Sequence, residues 1–220
     1  MPIMATLNIF PFLLRGTAVT AEITAAAILL ACAAAVMAAV CRLSTINWLT
    51  WTARVYIEFF RGTSALIQLF WVFYVLPFMG IRIGPMTAAI LVLGLNGGAY
   101  GAEIIRGAVL SVSRGQLEAA IALNLPRVSR VVRIITPQAL PLAIPPMTNL
   151  FIDILKNSSL AGLVTVGDLT FQAQVLREST LRSGYIYGIV MVIYFLLAMV
   201  LSGVMRYVER RIDFPRGGRT

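Results

Sequence analysis

The sequence has no histidine and very little charge. Among its 220 residues there is a single lysine, and charged residues make up 12% of the chain, about half the roughly 25% of a soluble protein. The absence of histidine excludes a Ser-His-Asp triad and a histidine-ligated metal. So few charges cannot cover a water-facing surface, and we therefore exclude a soluble enzyme.

The cysteines and the lysine do not have the spacing of a redox, zinc or phosphate-binding motif. Cys32 and Cys41 lie nine residues apart in one apolar stretch, which is neither a CxxC redox pair nor a zinc spacing. Lys156 lacks the preceding glycines of a phosphate-binding loop and is followed by Asn157, so nucleotide binding by that motif is excluded. We expect no catalytic residue, metal or cofactor on this chain.

Long uncharged stretches dominate the sequence. Five of them, each 19 to 23 residues long, separate the charged positions, and a transmembrane helix needs about 20 apolar residues. We predict an all-α membrane protein with five transmembrane helices, at about 17–41, 57–79, 84–107, 137–156 and 184–207. A soluble protein with five buried helices is disfavoured, because such helices keep a polar face.

Two of the segments carry further predictions. Pro137, Pro141, Pro145 and Pro146 predict that the fourth span is kinked or partly unwound. The stretch 157–183 is too polar to cross the membrane and is predicted to lie outside it, as a loop with a short helix.

Arginine bias predicts the orientation. The net charge is +9, but the arginines cluster at predicted helix ends, which favours positive-inside topology over nucleic-acid binding. One side collects Arg42, Arg54, Arg61, Arg106, Arg114, Arg127, Arg130, Arg133, Arg206, Arg210, Arg211, Arg216 and Arg219, and the other only Arg15, Arg82, Arg177 and Arg182. We therefore expect the C-terminus in the cytoplasm and the N-terminus outside.

The arginine-rich loop before the fourth span contains a short helix signal. Ser113 and Gln116 form an S-x-x-Q capping box, and Leu117, Ile121 and Leu125 recur on one face. Pro126 is expected to end this helix. Such a helix is suited to a groove of a soluble partner, although a helix lying flat on the membrane remains an equal alternative.

This loop resembles the EAA loop of ABC importer permeases. Glu118-Ala119-Ala120 and Ile134-x-Thr136-Pro137 have the family spacing, with Asn124 where the family has glycine. Asparagine is the next-best residue for a left-handed backbone. The resemblance implies that Gln116, Leu117, Glu118, Ala119, Ala120 and Asn124 couple the chain to an ATPase. Ala119 and Ala120 would then sit in a groove of that ATPase, with Glu118 at the rim.

Other segments are similar to the polar amino-acid uptake branch of the same family. They are Tyr56–Thr63 with Gln68–Phe70, Ala99–Gly107, and Pro137–Leu140 with Pro145, Pro146 and Leu155–Leu160. The resemblance covers about 16–208 and leaves 209–220 as a basic cytoplasmic tail. It implies a type I importer transmembrane domain with five spans in the inner membrane. The implied partners are an ATPase dimer, which binds the ATP, a second permease (the same chain or a sister chain), a solute-binding protein and the lipid bilayer.

The substrate is left open within that branch. The ALNL sequence at 122–125, the segment Phe59–Ala65 and the segment Leu169–Gln174 resemble ectoine/hydroxyectoine permeases. Close relatives carry arginine, glutamine, histidine or glutamate.

Polar residues within the spans are the candidates for the substrate path. They are Gln68, Asn96, Asn149 and Asp153, with Trp71 and Tyr74 as aromatic walls. The alternative is that these amides bond neighbouring helices. The charged residues form possible i, i+3 pairs that neutralise each other: Glu58 with Arg61, Glu103 with Arg106, and Asp153 with Lys156. A non-transport scaffold or signalling subunit would need no polar cavity, and an intramembrane enzyme would need paired carboxylates.

Overall fold

The computed structural model describes residues 2–212, and the side chains of residues 9–212, as an assembly of helices. In chain order the helices are α1 (Pro2–Arg42), α2 (Asn47–Gly62), α3 (Ala65–Phe70), α4 (Pro85–Leu110), α5 (Arg114–Ala122), α6 (Arg127–Arg130), α7 (Thr136–Asn157), α8 (Leu169–Thr180) and α9 (Ser183–Ile212). A wide π turn (Trp71–Val75) and a 3-10 turn (Leu76–Met79) extend α3. A second π turn (Val131–Ile135) joins α6 to α7, and a 3-10 helix (Ser158–Val164) follows α7.

The centre of the fold is the contact between the alanine-rich α1 and the glycine-rich α4. A Cβ added at Gly98 would stand 2.6 Å from the Cβ of Ala34, and one added at Gly101 would stand 2.8 Å from the Cβ of Ala35. The absence of these side chains lets the two backbones approach closely, as small residues do between membrane helices. Ile23, Ala27 and Ala31 of α1 are buried in the cluster that results.

The second predicted span, 57–79, is not one helix. The chain breaks at Thr63 and Ser64, and Asn47–Gly62 meets Ala65–Met79 at an angle of 101°. Both break residues have extended backbone, with ψ of 152° and 132°. Glu58, Arg61, Thr63 and Ser64 interrupt the apolar residues near the start of the segment, but the overall composition concealed this bend, because composition measures length and not direction.

The fourth span differs from its prediction in where it departs from α-helical geometry. Helix α7 is continuous although Pro141, Pro145 and Pro146 lie inside it. The irregular turn comes earlier, at Val131–Ile135, and ends two residues before Pro137. The turn at Trp71–Val75 likewise ends two residues before Pro77. A proline ring clashes with the carbonyl of the preceding turn, and a π turn is a way to accommodate it.

The stretch after α7 contains the predicted short helix, and that helix is docked on α1. The Asp168 carboxylate accepts a hydrogen bond of 2.9 Å from the backbone N–H of Phe171 at the start of α8. The backbone N–H of Leu169 donates to the Thr20 hydroxyl over 3.0 Å. Leu169 and Ala173 are buried against the first turns of the described part of α1. This packing fixes one end of the bundle.

Among residues 9–212, three helices are long and apolar enough to cross a membrane: Ile9–Arg42, Pro85–Leu110 and Ser183–Ile212. Two bent pairs, Asn47–Gly62 with Ala65–Met79 and Arg127–Val164 with Leu169–Thr180, raise the number of possible spans to five. Helix α9 continues to Ile212, beyond the boundary predicted at 208. Residues 213–220 of the predicted tail lie outside the described residues.

Replacing Gly98 tests the close approach of α1 and α4. Gly98→Ala should lower the free energy of unfolding by about 1–3 kcal/mol, because the added methyl overlaps Ala34 and the Tyr56 hydroxyl, 2.8 Å away. Gly107→Ala on the same helix is the control, since its added Cβ meets nothing within 4 Å. Thermal unfolding of the purified variants in detergent measures the difference. Equal melting temperatures for the two variants would contradict the close contact.

Candidate functional site

A polar cavity of about 640 Å³ lies where the break after α2 faces α4 and α7. Its polar lining consists of Thr63, Ser64, Asn96, Tyr100, Asp153, Lys156 and Asn157, and its apolar lining includes Leu93, Gly97 and Ile154. The cleft between α1 and α9 has an almost wholly apolar lining, including Phe10, Leu14 and Val192. The cavity at the helix break therefore brings together groups that can bind a charged or polar solute.

Two side-chain amides form hydrogen bonds with the backbone and side chains at the break. The Gln68 amide nitrogen donates to the Phe60 carbonyl over 3.1 Å and to the Thr63 hydroxyl over 2.7 Å. The Asn96 amide nitrogen donates to the same Phe60 carbonyl over 2.8 Å. A helix end leaves backbone carbonyls without hydrogen-bond donors, and the Gln68 and Asn96 amides act as donors here. The Gln68 side chain is buried. Asn96 both donates to the backbone at the break and lines the cavity.

Charged and aromatic side chains from α7 and α4 complete the polar lining. Asp153 and Lys156, one turn apart on α7, are 3.7 Å from each other and largely exposed to the cavity. The Arg61 guanidinium lies 5.2 Å from the centre of the Tyr100 ring. Such a contact between a cation and an aromatic face is attractive. The cavity thus has one anionic group, one cationic group and an aromatic ring on adjacent helices.

The predicted ion pairs had different outcomes. Glu103 and Arg106 are paired at 2.7 Å, and Arg42 of α1 approaches Glu103 to 4.0 Å. The predicted Glu58–Arg61 pair is wrong: among the described side chains, no ion pair within 4.0 Å includes either residue. Arg61 lies over Tyr100 instead. The spacing i, i+3 allows a pair, but a nearby aromatic face competes for the guanidinium.

Of the six predicted substrate-path residues, Asn96 and Asp153 line the cavity, and four do not: Gln68, Trp71, Tyr74 and Asn149. The Trp71 and Tyr74 side chains are about half exposed, and the Tyr74 hydroxyl donates to the Leu163 carbonyl over 3.3 Å. Asn149 is exposed and does not line the cavity. Sequence reasoning missed Ser64, Tyr100 and Asn157 as lining residues. The signals that could have indicated them are the Gly-Thr-Ser sequence at the break and the polarity that follows the only lysine.

The second candidate site is α5 and the turn after it. Asn124 has the expected left-handed backbone, with φ of 53°. The Leu125 N–H donates to the Ala120 carbonyl over 3.1 Å, and the Asn124 N–H donates to the Ile121 carbonyl over 2.8 Å. These two bonds form a Schellman motif, which ends the helix. The predicted capping box is wrong, because Ser113 makes no side-chain cap hydrogen bond.

Helix α5 presents most of its surface to the outside. Gln116, Glu118 and Ala119 are exposed, and Leu117, Ile121 and Leu123 are exposed although they are apolar. Ala120 differs from them, because it is 2% exposed and packs within this chain. Of the two alanines that the resemblance placed in an ATPase groove, Ala119 is the accessible one. Exposed apolar residues on such a loop are characteristic of an interaction surface.

Comparison with known proteins agrees with this architecture. Residues 27–214 match the family "Binding-protein-dependent transport system inner membrane component". The chain is 47% identical to a probable amino-acid ABC transporter permease, y4tF of Sinorhizobium fredii, over 74% of this chain and 71% of the relative. It is 40% identical to the glutamine permease GlnP of Escherichia coli, over 73% and 74% of the two chains. It is 35% identical to the L-cystine permease TcyB of Bacillus subtilis, over 94% and 88%.

Solved structures have the same fold. A crystal structure of an amino-acid ABC transporter with histidines matches with a TM-score of 0.88 and 32% identity, over 94% of this chain and 97% of that one. A structure of the MetNI methionine ABC transporter matches with a TM-score of 0.74 and 23% identity, over 92% and 97%. Together with the family match over residues 27–214, these likenesses show that the chain belongs to the inner-membrane components of binding-protein-dependent transport systems, as a multi-pass amino-acid ABC importer permease.

Proposed function

We propose that this permease moves a zwitterionic amino acid or amino-acid-like solute through the cavity at the α2–α3 break. The observation that carries the proposal is the placement of Asp153 and Lys156 on the wall of a cavity that also contains amide, hydroxyl and aromatic groups. A zwitterion needs an anionic or π partner for its ammonium group and donors for its carboxylate. A scaffold or signalling subunit has no need of such a cavity.

The Asp153–Lys156 ion pair is weak enough for a solute to bind in place of either partner and to dissociate again. Its separation of 3.7 Å and its exposure make it a weak pair, so a zwitterion can replace each partner without a large loss of free energy. A second permease, either another copy of this chain or a sister chain, completes the path. A solute-binding protein delivers the solute, and an ATPase dimer that binds the ATP drives transport. Ectoine and hydroxyectoine remain candidate solutes beside the proteinogenic amino acids.

The ATPase docks on α5 in this proposal. Its exposed surface combines Glu118 and Ala119 with the apolar Ile121 and Leu123. The buried Ala120 packs α5 against its own chain, and the Schellman turn at Asn124 sets the direction in which the chain leaves the helix. A helix packed in this way can transmit a movement of the ATPase to α4, which precedes it, and through α6 to α7. Helices α4 and α7 both line the cavity.

Cysteine labelling tests the orientation. In a variant without Cys32 and Cys41, Leu181→Cys should react with an impermeant maleimide in intact cells, and Leu123→Cys only after the membrane is opened. Both positions are well exposed, at 87% and 74%, and arginine bias places them on opposite sides. Reaction of both cysteines in intact cells would reject the proposed topology.

Neutralising Asp153 tests the cavity. Asp153→Asn should raise the KM for uptake by about tenfold or more, because a hydrogen bond to a charged group contributes roughly 1.5–3 kcal/mol. Glu178→Gln is the matched control, since Glu178 is similarly exposed and also forms a 3.7 Å ion pair, but outside the cavity. Uptake is measured with labelled glutamine, cystine, arginine, histidine and ectoine in cells that express the whole system. The cavity assignment fails if both variants transport as the unmodified protein does.

Enlarging Ala119 tests coupling. Ala119→Trp should release the ATPase or uncouple hydrolysis from uptake, because a larger side chain overpacks a fitted interface by about 1–3 kcal/mol. Ala33→Trp, at an exposed alanine of α1, controls for the added bulk. Ala120→Trp should instead lower the melting temperature of the permease alone, since Ala120 is buried in its own chain. Co-purification of the ATPase and solute-stimulated hydrolysis are the readouts, and wild-type values for Ala119→Trp would exclude α5 as the docking helix.

A further inference from the structure

Helix α2 presents tryptophan and arginine at the arginine-rich end of the bundle. Trp48 and Trp51 are 69% and 64% exposed, and Arg54 follows three residues later and is also exposed. Four residues separate Arg42, the last residue of α1, from Asn47, the first residue of α2. Helix α2 therefore starts at the level where α1 ends. Tryptophan is enriched at the boundary between lipid headgroups and acyl chains. This part of α2 therefore has the composition of a membrane interface.

An apolar cleft of about 590 Å³ separates this part of α2 from the last turns of α1. Met37, Val40 and Cys41 line it from α1, and Trp48 and Leu49 line it from α2. Its lining is almost entirely hydrocarbon, and Met37 is 68% exposed. A cleft of this kind in a membrane protein has the chemistry of an acyl-chain site.

A second cleft, of about 560 Å³, combines mostly apolar surface with a few polar groups. It is lined by Asn47, Trp48, Thr50, Trp51 and Arg54. Trp48 lines both clefts, so the two are neighbours that meet at this side chain. Together they form a site with a cationic, hydrogen-bonding end and a hydrocarbon end.

The charge at the polar end has no partner within the described chain. Arg54 is in none of the ion pairs within 4.0 Å among residues 9–212, although Glu58 lies one turn further along α2. Arg42, at the end of α1, differs from Arg54 in that it lies 4.0 Å from Glu103 and is thereby partly neutralised. A guanidinium in this position attracts an anion, and an arginine beside an apolar cleft favours a phosphate that carries a hydrocarbon chain.

We propose that the two clefts bind one anionic phospholipid, with an acyl chain between α1 and α2 and its phosphate at Arg54. The Trp48 and Trp51 indole N–H groups and the Asn47 amide supply further donors at the headgroup. An anionic phospholipid supplies a negative headgroup and a hydrocarbon chain in one molecule, whereas a transmembrane helix of a second protein would need a carboxylate placed opposite Arg54. The site is separate from the solute cavity and from α5, so it stands whatever the solute is.

The test counts lipids bound to the purified full-length permease. The protein is incubated in detergent with equal amounts of phosphatidylglycerol and phosphatidylcholine, and native mass spectrometry measures which lipid it retains. Arg54→Gln should lower the preference for phosphatidylglycerol by about fivefold, the effect of one basic residue near an anionic lipid, and Arg54→Lys should keep most of it. Met37→Trp should fill the apolar cleft and reduce retention of both lipids.

Two matched variants serve as controls. Arg82→Gln removes an exposed arginine from the loop between α3 and α4, and Met191→Trp alters a methionine of α9 that is 70% exposed and lines neither cleft. Both should retain lipid as the unmodified protein does. The proposal is overturned if Arg54→Gln and Met37→Trp retain lipid like these controls. It is also overturned if these two variants lose a bound protein subunit from the spectrum while their phosphatidylglycerol adducts persist.

Discussion

Inside a bilayer, every backbone N–H and C=O must find its partner within the protein, and the structure meets this constraint most conspicuously at the break between α2 and α3. A helix that ends within a bundle exposes carbonyls, and here the Phe60 carbonyl accepts from both Gln68 and Asn96. The same break opens the polar cavity. The irregular backbone that would be costly in lipid is therefore also the backbone at which the polar cavity opens.

The contact between α1 and α4 makes this arrangement possible. Because Gly97, Gly98 and Gly101 have no side chains, α4 can lie against both α1 and α7. Asn96 is on this glycine-rich segment, and its amide reaches across to α2 as a result. The Arg42–Glu103–Arg106 cluster joins α1 to α4 nearer the loop that contains α5. Helix α4 therefore connects the cavity to the loop that contains α5 as one packed element.

Much of this could be predicted from the sequence, and the reasons for the failures are physical. Uncharged stretches indicated the long helices, and Asn124 indicated the left-handed turn that ends α5. The bend at Thr63 and Ser64 coincides with a short polar sequence after Arg61, but hydropathy averaged over a whole span reports its length and not its direction. Which face of a helix meets the cavity also depended on that bend, so Trp71 and Tyr74 were assigned to the path although they point elsewhere. Ser113 could form a cap, but a local pattern does not determine the rotamer.

The π turn at Val131–Ile135 has a consequence for everything that follows it in α7. A π turn accommodates one more residue than an α-helical turn, and one residue corresponds to about 100° of rotation around a helix with 3.6 residues per turn. Asp153 and Lys156 lie some five turns downstream of it. Their azimuth around the helix axis is therefore set in part by a turn far from the cavity. A one-residue deletion in that turn would change the chemistry of the cavity wall without altering any residue that lines it.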